Sequence, residues 1–280
     1  MQRTSGSLTE WLTPLAFIAC TSWVIWHIPA FILTLLPPTD PSLAGQIASI
    51  FERSDVSPNL PGLFGGVADI VDWAALCLIP VIFVIGMFTV RRANMEFDRL
   101  SLVDRGAMFV GRITMLMIVL MTGVMLWEVF LRYVLESPTL WANELSLWMA
   151  GFVFLMAGLY AMQQRSLIRI YLIYDISPRW LQRVFDSIST VLIGIFAFFL
   201  VYGSYKQVFV NKLYRWETFG TAFDPPLPAT LQPMILIVVT LVAIQAVLNL
   251  IADWNVTPEV HTDEPDADEI EALKRSVGQS

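Results

Sequence analysis

Charged residues are scarce in this sequence. Asp, Glu, Lys and Arg make up only 15% of its 280 residues, whereas hydrophobic residues make up 56%. A soluble domain ordinarily carries about 25% charged residues. Several apolar runs here reach the roughly 20 residues that a helix needs to cross about 30 Å of hydrocarbon. The scarcity of charge therefore excludes an ordinary soluble domain and predicts an all-α, polytopic membrane protein.

Cysteine and histidine are rarer still, and their positions exclude most cofactor chemistry. Cys20 and Cys77 both lie inside apolar runs, without the spacing of metal ligands or of a disulfide framework. A haem held between two helices needs paired axial ligands, but the only histidines are His27 and His261. An intramembrane hydrolase needs a nucleophile and a base, or two aspartates, at membrane depth. The mid-membrane serines lack such partners, so we predict no catalytic residue, no metal, no cofactor and no enzyme activity.

A basic patch with interleaved aromatic residues is also missing, which argues against nucleic acid as a partner. The acidic balance of the chain is local. Seven acidic and two basic residues between Glu259 and Ser280 contribute −5 to the formal net charge of −7. Such a segment cannot bury enough apolar surface to fold alone. Residues 255–280 are therefore predicted to form a disordered, acidic tail in the cytoplasm.

Six apolar runs are predicted to cross the membrane. An N-terminal extension, residues 1–96, contributes two of them, and a four-helix membrane domain, residues 97–254, contributes the other four. The first run is longer than the apolar region of a signal peptide and no small-residue cleavage site follows it. We therefore expect it to be retained, with a bend near Pro29 because proline removes a backbone donor. In chain order the predicted spans are residues 11–36, 73–90, 113–131, 145–162, 187–205 and 231–252.

The connection between the first two spans is predicted to contain a short amphipathic helix. Within residues 37–66, four apolar side chains recur at helical spacing: Leu43, Ile47, Ile50 and Phe51. Such a helix can lie on the membrane surface or pack against the protein itself. Asp69 and Asp72, just before the second span, could suggest a catalytic or ion-binding pair. We assign them instead to the positive end of a helix dipole.

The distribution of Lys and Arg predicts that both termini lie in the cytoplasm. With that orientation, and leaving the tail aside, the cytoplasmic segments hold ten Lys and Arg and the opposite segments hold five. The fourth span carries small residues along one face, which lets another helix approach closely. They are Ala150, Gly151, Ala157, Gly158 and Ala161.

Charged residues at the ends of the third and fourth spans form the most specific feature of the sequence. Glu128 and Arg132 are four residues apart on one helix face, which favours an ion pair. Glu144 begins the next helix, across a turn at Ser137-Pro138, and can cap that helix or share the arginine. Three interpretations remain open: a charge network that fixes the hairpin, a surface that contacts a partner subunit, or a site that handles solute.

Several short motifs around these spans follow one another in a recognisable order. They are Glu128-Val129-x-x-Arg132-Tyr133, Trp141-Ala142-Asn143-Glu144, Arg165-x-x-Ile168-Arg169 and Ser177-Pro178-Arg179. Together with four spans and a proline-rich lead-in to the last one, they resemble the small membrane subunit (DctQ type) of tripartite ATP-independent periplasmic (TRAP) transporters. The resemblance covers roughly residues 98–254. This chain has Asn143-Glu144 where the family commonly has two glutamates, and residues 1–96 lie outside the four-span core.

The resemblance implies a small permease subunit in the bacterial inner membrane, embedded in lipid. Its implied partners are a large permease subunit, which carries solute and ions, and a periplasmic solute-binding protein. Uptake would be driven by an ion gradient rather than by ATP. The residues expected to form a structural or subunit-contact network are Glu128, Arg132, Trp141, Asn143, Glu144, Arg165 and Arg169.

Two other functions remain open at this point. A stand-alone channel or carrier would need a complete transport path, yet the sequence has no inverted repeat of the kind that secondary transporters commonly contain. A non-transporting membrane assembly subunit fits the same sequence features. Solute flux in vesicles that contain this chain alone would favour the channel or carrier.

Overall fold

The structure is a computed structural model that describes residues 8–49, 67–91, 102–165, 174, 177–221 and 223–255. Within these ranges the chain is helical, without strands. The helices are α1 (Leu8–Trp26), α2 (Ile28–Leu35), α3 (Pro41–Ser49), α4 (Ile70–Thr89), α5 (Leu102–Tyr133), α6 (Trp141–Gln163), α7 (Arg179–Tyr205) and α8 (Leu227–Asp253), and a π-helical stretch (Lys206–Leu213) continues α7. Six helical segments are long and apolar enough to cross a membrane: α1, α4, α5, α6, α7 with its π-helical stretch, and α8. The predicted all-α, six-span membrane fold is confirmed.

The first predicted span is divided at His27. α1 ends at Trp26 and α2 begins at Ile28, so the two helices share the length predicted for residues 11–36. Pro29 lies in the first turn of α2, where a missing N–H group does little harm. If Pro29 lay inside a continuous helix, one backbone carbonyl group would lack its N–H donor. The predicted bend near Pro29 is therefore present.

The other membrane-spanning helices begin earlier in the chain than the apolar runs from which they were predicted. α5 begins at Leu102 instead of residue 113, because the polar segment before the apolar run continues the same helix. α7 likewise begins at Arg179 instead of residue 187. Apolar run length marks the part of a helix that suits hydrocarbon, whereas the helix itself extends into the polar boundary on either side.

Asp69 and Asp72 start α4, as predicted from the helix dipole. The Asp69 carboxylate accepts hydrogen bonds from the backbone N–H groups of Val71 (2.9 Å) and Asp72 (3.0 Å). The Asp72 carboxylate in turn accepts one from the N–H group of Asp69 (3.1 Å), which completes a reciprocal capping box. Asp72 is buried, and the indole of Trp23 in α1 also donates a hydrogen bond to it (2.8 Å).

The short helix predicted between the first two spans is α3. Ile47 is buried on its inner face, 1% exposed, so this part of the connection packs against the protein. Ile50 and Phe51 lie outside the described residues.

α1 and α4 form a hairpin that packs on the first half of α5. Phe17 of α1, Phe83 of α4 and Phe109 of α5 meet with ring centroids 5.5–5.9 Å apart. Gly86 of α4 lies directly under the Phe109 ring, and an added Cβ there would be only 2.2 Å from it. The close approach of α4 to α5 therefore depends on the missing side chain at Gly86.

The remaining helices pack in the order α5, α6, α8 and α7. Gly111 of α5 accommodates the Tyr160 ring of α6, and Gly151 of α6 accommodates Leu231 of α8. The predicted small-residue face of α6 thus meets a helix of this same chain at Gly151. At Gly158, by contrast, an added Cβ would meet open space.

Candidate functional site

Glu128 is a buried carboxylate near the end of α5. Its side chain is only 4% exposed. The Arg132 guanidinium lies four residues on and donates to Glu128 Oε1 through Nε (3.2 Å) and Nη2 (2.7 Å). The ion pair predicted from the i, i+4 spacing is present, with one oxygen receiving both hydrogen bonds.

The second oxygen of Glu128 holds the connection between α5 and α6. Glu128 Oε2 accepts hydrogen bonds from the backbone N–H group (3.1 Å) and the hydroxyl group of Thr139. Two further features shape this connection: Ser137 N–H donates to Leu131 O (3.0 Å), and Glu136 adopts a left-handed conformation (φ 51°). Glu128 therefore ties the connection to the end of α5. Sequence reasoning missed Thr139, although its position just after Ser137-Pro138 marks it as a residue of the predicted turn.

Glu144 joins a different part of the molecule from the one predicted. Its Oε2 accepts a hydrogen bond from the Thr221 hydroxyl group (2.6 Å), in the connection between α7 and α8. One turn later, the Trp148 indole donates to the Thr230 hydroxyl group of α8 (2.8 Å). The first two turns of α6 are thereby tied to both the start of α8 and the connection that precedes it.

Trp141 and Asn143 are exposed at the start of α6. Asn143 lies at one end of a shallow groove between α5 and α6. The other residues that line the groove are Met121, Thr122, Met125, Ser146, Leu147 and Ala150. Among them Ser146 is buried, 7% exposed, and in the described structure its hydroxyl group has no hydrogen-bond partner.

Arg165 lies at the opposite end of α6. This helix has 23 residues, so its ends are about 34 Å apart at 1.5 Å per residue. Arg165 Nε and Nη2 donate to the two carboxylate oxygens of Asp253 at 2.5 and 2.9 Å. Arg165 also has a left-handed backbone (φ 55°), an uncommon state for a residue with a side chain. Its pair with Asp253 therefore fixes both the end of α6 and the end of α8.

We call the end of the bundle that contains Glu128 and the start of α6 the Glu128 end. The end that contains Arg165 and Asp253 is the Arg165 end. The predicted network is therefore divided: Glu128, Arg132, Trp141, Asn143 and Glu144 share one end, and Arg165 lies at the other. Arg169 lies outside the described residues.

The Arg165 end contains a second polar network that sequence reasoning missed. The Gln245 amide of α8 is 1% exposed and donates to Asp104 of α5 (3.1 Å) and to Asn249 (2.9 Å). The Asn249 amide donates to the backbone carbonyl of Met162 in α6 (2.7 Å). Three spans are thus joined through two amides that lie one turn apart in α8. The signal was visible as two polar residues, i and i+4, inside the apolar run 231–252.

The arrangement suits the binding of helices to one another. In the described ranges, no group of three His, Cys, Asp or Glu side chains could hold a metal ion. Glu128, Glu144, Arg165, Gln245 and Asn249 bond to other helices or connections of this chain.

Comparison with known proteins finds a match to a transporter family in the second half of the chain. Residues 121–255 match the family model described as "Tripartite ATP-independent periplasmic transporters, DctQ component". The match begins within α5 and continues past the end of α8, so it contains both charged ends of the bundle. It confirms the resemblance inferred from the sequence motifs. Neither a curated protein nor a solved structure matches the chain.

Proposed function

Because residues 121–255 belong to the DctQ component family of tripartite ATP-independent periplasmic transporters, we propose that this chain is the small permease subunit of such a transporter. In this role it is a membrane scaffold for the large permease subunit. The complex takes up solute that a periplasmic binding protein delivers, and an ion gradient drives the uptake. The family match is the observation that carries the proposal.

The placement of charge supports a scaffold role. The Glu128–Arg132 pair and the Arg165–Asp253 pair lie at opposite ends of the bundle, near the ends of helices that are long and apolar enough to span a membrane. Each pair links parts of this chain to one another. Charged side chains that served a solute or ion path would instead face a cavity or a conduction route within the membrane.

The proposed location is the bacterial inner membrane, with the chain embedded in lipid and both termini in the cytoplasm. The ten-to-five bias of Lys and Arg supports this orientation. In this orientation the Glu128 end lies on the periplasmic side and the Arg165 end on the cytoplasmic side. The solute-binding protein would then dock on the complex at the Glu128 end.

Residues 1–96 form, in this proposal, an extension of the four-helix membrane domain 97–254. The α1–α4 hairpin packs on α5 around Phe109, and this part of α5 precedes the family match. We expect the extension to add contact area with the large subunit or the binding protein. A variant that begins near Asn94 should then give less complex and slower uptake, and full assembly at an unchanged rate would contradict this role.

Co-purification tests the proposed function. The natural partners should be a large hydrophobic permease and a secreted binding protein encoded in neighbouring reading frames. With an affinity tag on this chain, the large permease should be retained in mild detergent, at one fixed ratio to the tagged chain. Failure to retain it, under conditions where both proteins are present in the membrane, would contradict the proposal and favour a stand-alone protein.

A further inference from the structure

Arg183 lies in the second turn of α7, at the Arg165 end of the bundle, and pairs with no carboxylate in the described part of the chain. Its guanidinium lies over the ring of Trp254, at the end of α8, with Cζ 5.5 Å from the ring centroid. A cation at that distance is attracted to the face of the ring. Asp186, three residues on, accepts a hydrogen bond from the Tyr174 hydroxyl group (2.7 Å). Arg183 is thus oriented by an aromatic ring without being neutralised by an acidic side chain of the described residues.

The three nitrogens of this guanidinium differ in their surroundings. Nε is enclosed by the protein and has no hydrogen-bond partner among the described residues. Nη1 and Nη2 make no hydrogen bond there either, but they are not enclosed, and the residue as a whole is partly exposed. Because Nε is enclosed and Trp254 lies against the ring-facing side, the two terminal nitrogens form a planar fork with a set direction. Such a fork matches the oxygens of a phosphate group.

Two neighbouring arginines hold Trp254 in this position. Arg179, one turn before Arg183, donates to the backbone carbonyl of Asp253 (2.9 Å), and Arg165 pairs with the Asp253 carboxylate. Trp254 directly follows Asp253, so these bonds fix the end of α8 beside the start of α7. Arg179 and Arg165 thereby shape the corner between the two helices, and Arg183 is available in that corner to bind an anion.

Exposed tryptophans place this corner at the level of the lipid headgroups. Trp180, three residues before Arg183, is 65% exposed and Trp254 is 44% exposed. Tryptophan is enriched at this level of a membrane. Exposed apolar side chains follow within the next few turns of both helices. They are Val184, Ile188 and Val191 of α7, and Ile251, Val247 and Ile244 of α8.

This combination favours a phospholipid over a small anion. A phosphate bound at Arg183 has apolar surface of α7 and α8 beside it, on which acyl chains of the same molecule can lie. Basic pockets between membrane helices on the cytoplasmic side bind anionic headgroups. The ten-to-five bias of Lys and Arg places the Arg165 end on that side.

We propose that Arg183 and Trp254 bind the phosphate of an anionic phospholipid in the corner between α7 and α8. The site goes beyond the proposed function and does not depend on the large subunit. Its consequence is structural: α7 packs on α8, and only 6% of the most apolar stretch of α7 and its π-helical continuation is buried. A lipid that contacts both helices therefore adds to the contacts that hold α7 in the bundle.

Native mass spectrometry of the full-length chain in mild detergent tests the site, with phosphatidylglycerol as the added lipid. Arg183→Gln should bind the first lipid at least about fivefold more weakly, the effect of losing one basic residue at a membrane surface. Arg183→Lys should be intermediate, because it keeps the charge but not the planar fork. Arg105→Gln is the matched control, since Arg105 of α5 is also a partly exposed arginine at the Arg165 end. It should bind like the unmodified chain. Equal affinity in Arg183→Gln and the unmodified chain, or equal weakening in Arg105→Gln, would overturn the proposal.

Further arms of the same experiment identify the ligand. Diacylglycerol, which lacks the phosphate, and inorganic phosphate, which lacks the acyl chains, should compete poorly with phosphatidylglycerol. A variant that ends at Asn255 lacks the acidic tail and should bind the lipid with unchanged affinity. Strong competition by inorganic phosphate would indicate a simple anion site, and a large gain in affinity after truncation would indicate that carboxylates of the tail occupy Arg183. Either result would overturn the proposal.

Thermal unfolding supplies a second measurement. Phosphatidylglycerol should raise the unfolding temperature of the unmodified chain and of Arg105→Gln, but not that of Arg183→Gln. The unfolding transition without added lipid shows whether each variant is folded, and Arg183→Lys keeps the test decisive if Arg183→Gln is not. The same rise in all of the folded variants would overturn the assignment of the lipid to Arg183.

Discussion

The two ends of the bundle are held together in different ways. At the Arg165 end, side chains from distant parts of the sequence join separate spans: Gln245 bonds to Asp104, Asn249 to the Met162 carbonyl, and Arg165 to Asp253. At the Glu128 end, Glu144 and Trp148 of α6 also bond to distant residues, Thr221 and Thr230, whereas Glu128 of α5 bonds to residues four and eleven positions away in its own hairpin. The Arg165 end is therefore fixed across α5, α6 and α8 by this chain alone.

This difference suggests a division of roles. The Arg165 end joins α5, α6 and α8, while at the Glu128 end the described hydrogen bonds of Glu128 stay within the α5–α6 hairpin and large apolar side chains of α5 beside it are exposed. A scaffold subunit needs both properties, since it must remain folded and must also offer a surface to its partner. Substitutions at the Arg165 end should therefore mainly reduce the stability of the isolated chain, and substitutions at the Glu128 end should mainly reduce assembly.

The largest loss of stability is expected from Gln245→Leu. Gln245 is 1% exposed, and the substitution removes its two hydrogen bonds. One bond joins α8 to the Asp104 carboxylate of α5, and the other joins Gln245 to Asn249 within α8. The expected cost is about 1–2 kcal/mol, because bonds between two spans are lost while the buried Gln245 Oε1, which has no partner in the described structure, is removed as well. Thermal unfolding of the purified chain in detergent measures it. Ile244→Leu, at an exposed neighbouring position, is the control, and equal unfolding temperatures for both variants would contradict the interpretation.

A smaller loss is expected from separating Arg165 and Asp253. The two side chains are 16% and 36% exposed, so solvent screens part of their interaction. A double-mutant cycle with Arg165→Ala and Asp253→Ala should give a coupling free energy of about 1 kcal/mol. Arg165→Gly helps to separate the backbone strain from the ion pair, because glycine adopts the left-handed backbone without steric strain but cannot form the ion pair. A coupling energy near zero would show that the pair does not fix the ends of α6 and α8.

Arg132→Ala should affect assembly as well as stability. The Arg132 side chain is half exposed, and Glu128 keeps its two hydrogen bonds from Thr139 after the change. The unfolding temperature of the isolated chain should fall, because the buried Glu128 carboxylate loses its counter-charge. The large subunit retained on co-purification should fall severalfold, since the α5–α6 hairpin loses part of its brace. Undiminished complex and uptake would remove the Glu128–Arg132 pair from the mechanism.

The smallest effect is expected at α3, outside the membrane spans. Hydrogen bonds from the hydroxyl and N–H groups of Ser42 hold the pKa of Asp40 below its ordinary value. A lowered pKa in the folded state contributes stability above the ordinary pKa, and this contribution is lost as the pH falls through the lowered value. Ser42→Ala should raise the pKa of Asp40 toward its ordinary value, as an NMR titration would detect. No change in that titration would contradict the assignment.

The sequence was sufficient to predict the features that depend on local patterns. Apolar run length predicted six spans, Pro29 predicted the break in the first, and i, i+4 spacing predicted the Glu128–Arg132 pair. The motif order also predicted the family. Each of these follows from residues that are close together in the chain, so no knowledge of helix packing was required.

Long-range partners could not be predicted in the same way. Asp104 and Gln245 are 141 positions apart, and Arg165 and Asp253 are 88 apart. Their pairing depends on which spans become neighbours, and each span has several possible neighbours that would bury a similar apolar surface. For the same reason the sequence did not assign Glu144 to Thr221, 77 positions away, in place of the nearer Arg132.

Uptake by sealed vesicles tests the central claim most directly. Vesicles that contain this chain alone, this chain with the large permease, or both with the binding protein outside would be supplied with labelled solute and an imposed ion gradient. The scaffold role predicts gradient-dependent uptake only when all three proteins are present, and none from this chain alone. Uptake at a useful rate by this chain alone in pure lipid would contradict it.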